Sequence, residues 1–470
     1  MMPDEFVNDG ETTGNVMETR TESMRRRARA IARAGGLDEA LASGALQKQV
    51  ETTLSEGLLL GLLKQGVRKY LAIFGHGSTD LAEVLRVYED AGVTRTFNFR
   101  NEVEMAHAAT TLRWHYGELC AVVTSIGPGA LQAMAGSLAA ASNGVGVYHI
   151  YGDETTHGEG YNMQQVPKRE QDLFGRIAAL MGESYVLHTP EALRDALRRG
   201  ALRVGHPYHA GPFYLLLPIN TQPAPIRSLN LAALPVLPDL PATGVSEEAP
   251  FEAAAALIGK HRRIVIKAGG GCRDFAAEVT ALAEAIGAAV ALSPGALGVL
   301  PEAHPQNLHV GGSKGSISGN FAMSEADLVI IIGSRGVCQA DCSGIGYARA
   351  EAAINLNGDL GDLTHYNRTL ALAGDIGVNI RRLLAALDRA GGIDLASRRD
   401  WLDACAEKKA EWRRFRDARY AVPPLDDPVW RRPVLTQPVA IDTVARFAKS
   451  IDAVKYFDAG DVQANGFQIV

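Results

Sequence analysis

The chain has 470 residues, 47% hydrophobic and 21% charged, with a formal net charge of -6. That length is too great for one hydrophobic core, so two or three domains are expected, and the mildly acidic balance, without a basic face interleaved with aromatics, gives no sign of a nucleic-acid partner. No apolar run reaches the ~20 residues of a membrane span, the acidic start (Asp4, Glu5, Asp9) lacks the apolar stretch of a secretory signal, and five cysteines, sparse and odd in number, suit a reducing cytoplasm.

The basic, Ala-rich run "MRRRARAIARAGG" reads as an amphipathic helix or a loose N-terminal arm, here 1–47. From about Thr53 the pattern becomes regular. "KYLAIF", "RTFNF", "CAVVTSI" and "VGVYHIYG" are strand-length apolar runs, and helical periods such as "DLAEVLRVYEDAG" and "GPGALQAMAGSLAAAS" separate them. This alternation implies βαβ units and a parallel sheet over 48–228. The proline-rich passage "LPINTQPAPIRSLNLAALPVLPDLPATG" reads as an extended linker, with 229–247 lying between the domains.

The alternation then restarts with "RIVIKAGGG", "AAVALS", "ADLVIIIGSRG" and "AAINLNGD", giving a second open α/β domain over 248–392. A polar helix around Trp401 to Tyr420 and a second proline-rich link fill 393–435. The helix "VAIDTVARFAKSI" and a strand "VKYFDAGD" follow, as the start of a third α/β domain over 436–470. The expected fold class is therefore α/β, with two open parallel-sheet domains, the second Rossmann-like, and the beginning of a third.

Several glycine clusters carry less than they suggest. "AGGGC" lacks the full G-x-G-x-x-G with its following acid, and "GGSKGSISG" lacks the G-K-[ST] that places a lysine on phosphates, so both read as strand-to-helix turns. No cysteine sits in a recognisable nucleophile elbow. The stretch "FRNEVEMAHAA" differs from these. Its Glu102 stands at the first turn of a helix, where a carboxylate gains from the helix dipole whether or not it has another task. Yet "GHGS", "RNEVEMAHAA", "TSIGPGA" and "GDETTHGEGYNMQQ" each follow a strand. All four thus fall at one end of the sheet, where open α/β folds bind ligands.

In this order the motifs resemble the pyrimidine-binding domain of thiamine diphosphate enzymes of the acetolactate synthase superfamily. The variants "GHG", "RNE" and "TSIGPGA" bring the chain nearest to the trihydroxycyclohexanedione hydrolases. The resemblance covers about 50 to 470 and places Glu102 on the glutamate of that family. There the carboxylate bonds a ring nitrogen of the cofactor's aminopyrimidine and favours its imino tautomer, which deprotonates the thiazolium and makes the cofactor an electron sink. Small neighbours (Ala106, Ala108, Ala109) suit a dry setting in which an acid holds its proton more tightly. Glu104 is expected to point elsewhere.

The resemblance also implies roles for other residues. Gly75, His76 and Gly77 lie beside the reacting carbon, with His76 able to handle a substrate proton; the competing reading makes His76 a turn residue. Ser125, Gly127, Pro128 and Gly129 pack on the pyrimidine, Gln164 and Gln165 lie near the substrate, and His157 is as well explained by a surface loop. Gly460 and Asp461, in "FDAGDVQANGFQ", match a turn that touches the diphosphate, although Asp461 would repel phosphate unless compensated.

The Gly-Asp-Gly sequence that holds Mg²⁺ and diphosphate in the family does not occur; "NGDLGD" has neither its form nor its place. The expectation is a split enzyme. A second subunit would carry the Gly-Asp-Gly domain with the magnesium ligands, this chain would pair with its own copy through the pyrimidine domain, and two copies of each would assemble in the cytoplasm. The substrate would be a small carbonyl compound, with acyl carboligation and hydrolysis of a cyclic dione both open. The alternative is a non-catalytic regulatory or binding paralogue that keeps the fold, and a truncated chain is the other explanation for the missing motif.

Overall fold

The computed structural model describes residues 10–157, 172–336, 338–342, 345–364, 366, 368–458 and 460–469. The chain forms two compact units, Met1–Leu240 and Pro241–Val470.

In the first unit the strands are β1 (Gln49–Thr53), β2 (Lys69–Ile73), β3 (Arg95–Asn98), β4 (Cys120–Thr124), β5 (Tyr148–Asp153), β6 (Ser184–Val186), β7 (Phe213–Pro218) and β8 (Pro225–Asn230). Six of them form a parallel sheet in the order β3-β2-β4-β5-β7-β6. The order reverses between β2 and β4. Alternate residues serve opposite layers, as they must in a sheet covered on both faces. Tyr70, Ala72, Ala121 and Val123 join one core with Leu58, Val84 and Leu197, while Leu71 and Val122 join the other with Met105, Ala109 and Met134.

The N-terminal segment is a helix, Gly10–Ala34, that packs in place: Met24, Ala28 and Ile31 are buried in the first of these cores. Its Arg27 donates Nε to Glu56 Oε1 at 2.8 Å and Nη2 to Glu56 Oε2 at 2.5 Å, and Tyr88 donates to the same carboxylate at 2.8 Å. Glu56 is 1% exposed, so this bidentate pair is what permits its burial.

The proline-rich passage is not wholly extended linker. Its residues Pro225–Asn230 are β8, which pairs antiparallel with the distant β1, Gln49 opposite Asn230. Prolines are tolerated there because a two-stranded ribbon is all edge.

The second unit contains β9 (Ile264–Ala268), β10 (Ala289–Leu292), β11 (Asn307–Val310), β12 (Leu328–Ile332), β13 (Ala352–Asn357) and β14 (Thr369–Ala373) in a parallel sheet ordered β11-β10-β9-β12-β13-β14. Its order reverses between β9 and β12. The helix Arg399–Tyr420 packs on it through Trp401, whose Nε1 donates to Ile264 O at 3.1 Å. A short hairpin, β15 (Leu425–Asp427) with β16 (Arg432–Val434), and the helices Gln437–Ser450 and Asp461–Ile469 complete the chain.

The strand expected at "VKYFDAGD" does not form; the described residues 453–458 are irregular. Its alternation suits a strand, but a strand is stabilised by its ladder partner, and none lies beside this segment among the described residues. Phe457 instead packs against Phe467 and lies over Gly466, where a Cβ would meet its ring at 2.4 Å.

Candidate functional site

The reversal of strand order between β2 and β4 leaves a crevice at the carboxyl ends of these strands, and the loops that follow them form its walls. Gly75 begins the first loop, His76–Ser78 makes one 3₁₀ turn, and the His76 side chain is exposed. The amide of Gly77 donates to Ser125 Oγ at 3.1 Å. A Cβ on Gly75 would stand 2.8 Å from Ser125 Oγ, and one on Gly77 would stand 2.7 Å from Ile126 Cγ2. These two glycines are thus what lets the loops after β2 and β4 touch.

Ser125 and Ile126 lead into Gly127, whose φ of 67° and ψ of -115° only glycine adopts readily. Pro128 then opens the helix Pro128–Asn143, with its fixed φ at the first helical position. Glu102 opens the helix Glu102–Tyr116 after β3. The two helices pack closely at Gly136, where a Cβ would lie 2.6 Å from Val103 O and 2.8 Å from Ala106 Cβ. That approach brings the Glu102 carboxylate to the glycine turn: a Cβ on Gly129 would stand 3.2 Å from Glu102 Oε1 and 3.6 Å from Thr124 Cβ. Glu102 is half-buried in the single chain, a wetter setting than the small neighbours suggested.

The helix does not need Glu102 as its cap. Asn101 takes that task, its Oδ1 accepting from Val103 N at 2.9 Å and Glu104 N at 3.2 Å, an arrangement worth ~1 kcal/mol. Glu104 is exposed. His157 is exposed and reaches Thr155 Oγ1 at 3.5 Å. Gln164 and Gln165 lie outside the described residues.

Gly460 and Asp461 belong to the second unit. Gly460 has φ 91° and precedes the helix Asp461–Ile469. Both line a cavity of about 260 Å³ with Val310, Gly311, Lys314 and Phe467, so a lysine shares the space in which Asp461 adds negative charge. The loop "GGSKGSISG" that supplies Lys314 is otherwise a strand-to-helix turn, capped by Ser316 Oγ accepting from Gly319 N at 2.9 Å.

Three residues of the crevice escaped the sequence reading. Gly152 in β5 faces the loop after β2, Gln222 bonds that loop, and Asn220 bonds the loop after β5. Gln222 and Asn220 lie in the passage read as linker, where only their position directly after the apolar run "FYLLLP" could have signalled them.

Residues 52–173 match the family "Thiamine pyrophosphate enzyme, N-terminal TPP binding domain", and residues 251–383 match "Thiamine pyrophosphate enzyme, central domain". The chain is 27% identical over 362 residues to a probable acetolactate synthase large subunit of Methanocaldococcus jannaschii, covering 76% of this chain and 59% of the relative. It is 30% identical over 167 residues to the acetolactate synthase isozyme 1 large subunit of Escherichia coli, covering 36% and 29%. A 3D-(3,5/4)-trihydroxycyclohexane-1,2-dione hydrolase 2 of Bacillus cereus is 26% identical over 285 residues, covering 57% and 43%. The matches span less than two thirds of each of these relatives. The chain belongs to the thiamine diphosphate enzymes and carries their N-terminal and central domains. Among the described residues no helix is long and apolar enough to cross a membrane.

Proposed function

We propose that this chain is a subunit of a thiamine diphosphate-dependent enzyme that makes or breaks a carbon-carbon bond beside a carbonyl group, and that Glu102 activates the cofactor. The observation that carries this reading is the placement of the Glu102 carboxylate against Gly129, where a Cβ would intrude at 3.2 Å. A flat ring would fit beside an acid at such a surface, since Gly127 and Gly129 bring no side chain of their own to the turn that faces it. The bound cofactor supplies a nucleophilic carbon and an electron sink. Glu102 would share a proton with a ring nitrogen and so fix the ring's tautomer. Exposed His76, on the opposite loop, would exchange a proton with the substrate.

Carboligation of an acyl unit and hydrolysis of a cyclic dione both remain within this reading, because relatives of both kinds match. Diphosphate would be met by Gly460, with Lys314 offsetting Asp461, and Mg²⁺ by a partner polypeptide bearing Gly-Asp-Gly. Exposed apolar side chains along the helix Gln437–Ser450, Val444 and Phe447, followed by Ile451, support a partner at that face. Leu131 and Leu138, exposed on one side of the helix Pro128–Asn143, support pairing of two copies through the first unit.

The test is Glu102→Gln in the assembly reconstituted with that partner, thiamine diphosphate and Mg²⁺. Turnover should fall by about 10²- to 10⁴-fold, the usual worth of a positioned acid-base group, while the assembled mass stays the same. Full activity in the variant would remove the mechanism.

A further inference from the structure

The strand β7 is followed by the turn Ile219-Asn220-Thr221-Gln222, a segment to which the proposed function gives no task. Gln222 is 1% exposed. Its Nε2 donates to Gly77 O at 2.6 Å and to Leu217 O at 3.0 Å. Two residues earlier, Asn220 Oδ1 accepts from Thr156 N at 3.0 Å, and its Nδ2 donates to Thr156 Oγ1 at 2.9 Å. One short segment therefore grips both the loop that carries His76 and the loop that follows β5.

The segment is itself held. Thr221 Oγ1 donates to Leu187 O at 2.9 Å and to Pro218 O at 3.0 Å. The Gln222 carbonyl accepts from Ser55 N at 3.1 Å and from Ser55 Oγ at 3.2 Å. The gripped carbonyl has little room to move: a Cβ on Gly152 would stand 2.2 Å from Gly77 O, so β5 presents only a hydrogen to it. Gln222 Oε1 is buried without a partner, a standing cost that an apolar side chain of the same size would avoid. Filling space does not explain an amide here; the two bonds made by its Nε2 do.

We propose that Asn220 and Gln222 are positioning residues that place the two loops flanking the site from one rigid segment, Gln222 setting the His76 loop and Asn220 setting Glu154 to His157. Their importance for catalysis rests on the function proposed above; the clamp itself does not. The two contacts are independent, so each loop answers to its own residue.

Hydrogen exchange on the full chain, without cofactor, tests this. Gln222→Met keeps the bulk and removes the donor, and peptides spanning 75–78 should then exchange about tenfold faster, the protection lost with a local hydrogen bond, while 154–157 stay as they were. Asn220→Leu should give the reverse pattern. Asn220→Asp, which keeps an acceptor for the Thr156 amide, should restore most of the protection. Should Gln222→Met fail to fold, Gln222→Leu removes the same donor with less bulk. Both loops responding together, neither responding, or no rescue by Asn220→Asp would overturn the proposal. No cofactor enters this readout, so the Glu102→Gln assay stands or falls separately.

Discussion

Each parallel sheet reverses its strand order beside its first strand, and the two crevices there are used differently. In the second sheet the loops after β9 and β12 flank the reversal of strand order, and backbone fills the space between them. A Cβ on Gly269 would stand 2.3 Å from Gly333 O, and Gly271 N donates to that same oxygen at 2.9 Å. In the first sheet the loops after β2 and β4 meet through the Ser125 hydroxyl, and the Glu102 carboxylate stands at the neighbouring glycine turn. Gly269 presses backbone onto backbone, as Gly152 does in the first sheet, whereas Gly129 faces an acid. What a glycine faces, not how many occur in a turn, separates a packed junction from a site.

The largest expected contrast is in pH response, because each sheet buries a base. Burial pushes the His149 imidazole in β5 down to about 3. The unfolded chain takes up that proton below about 6.5, so the stability contributed by neutral His149 is present above that pH and is lost as pH falls toward 3. Lys267 in β9 donates to Gly311 O at 2.7 Å and Leu292 O at 3.3 Å, and burial pushes its ammonium down to about 7. Between about 7 and 10.5 the unfolded chain holds that proton and the folded chain does not, so this group's contribution rises with pH. Urea unfolding of wild type against His149→Phe should diverge in acid, and against Lys267→Met in mild alkali, each by roughly a few kcal/mol across its window. Parallel curves in either comparison would remove that base from the account.

Steric substitutions come next. Gly152→Ala and Gly269→Ala each drive a methyl into a carbonyl and should cost about 1–3 kcal/mol by denaturant unfolding, the first loosening the His76 loop and the second the junction of β9 with β12. Gly129→Ala should be the mildest in stability, changing it by less than about 1 kcal/mol, since a helical alanine is intrinsically favoured over glycine. Its methyl would nevertheless crowd Glu102, and cofactor-dependent activity of the assembly should fall sharply. A loss of stability at Gly129→Ala equal to that at Gly269→Ala would erase the distinction between the two crevices.

Much of the first crevice was legible in the sequence because its parts are local. Glu102, the "GHGS" turn and "TSIGPGA" each follow an apolar run directly, and each run forms its strand. What escaped depends on distant partners. β8 pairs with β1 across most of the unit, and nothing in "PAPIRSLN" announces a ribbon. Gln222 and Asn220 matter through Gly77 and Thr156, loops reached only when the sheet places β7 beside β5. The opposite error occurred at "VKYFDAGD", where local alternation promised a strand that pairing did not supply. Capping by Asn101 was equally hidden, because the acid beside it also suits the first turn of a helix.

That capping arrangement separates two duties that one side chain often combines. The amide at position 101 keeps the helix wound, which leaves its acidic neighbour unencumbered by architecture. Neutralising the acid should therefore silence the protein without unravelling it, yielding a well-folded, inert chain.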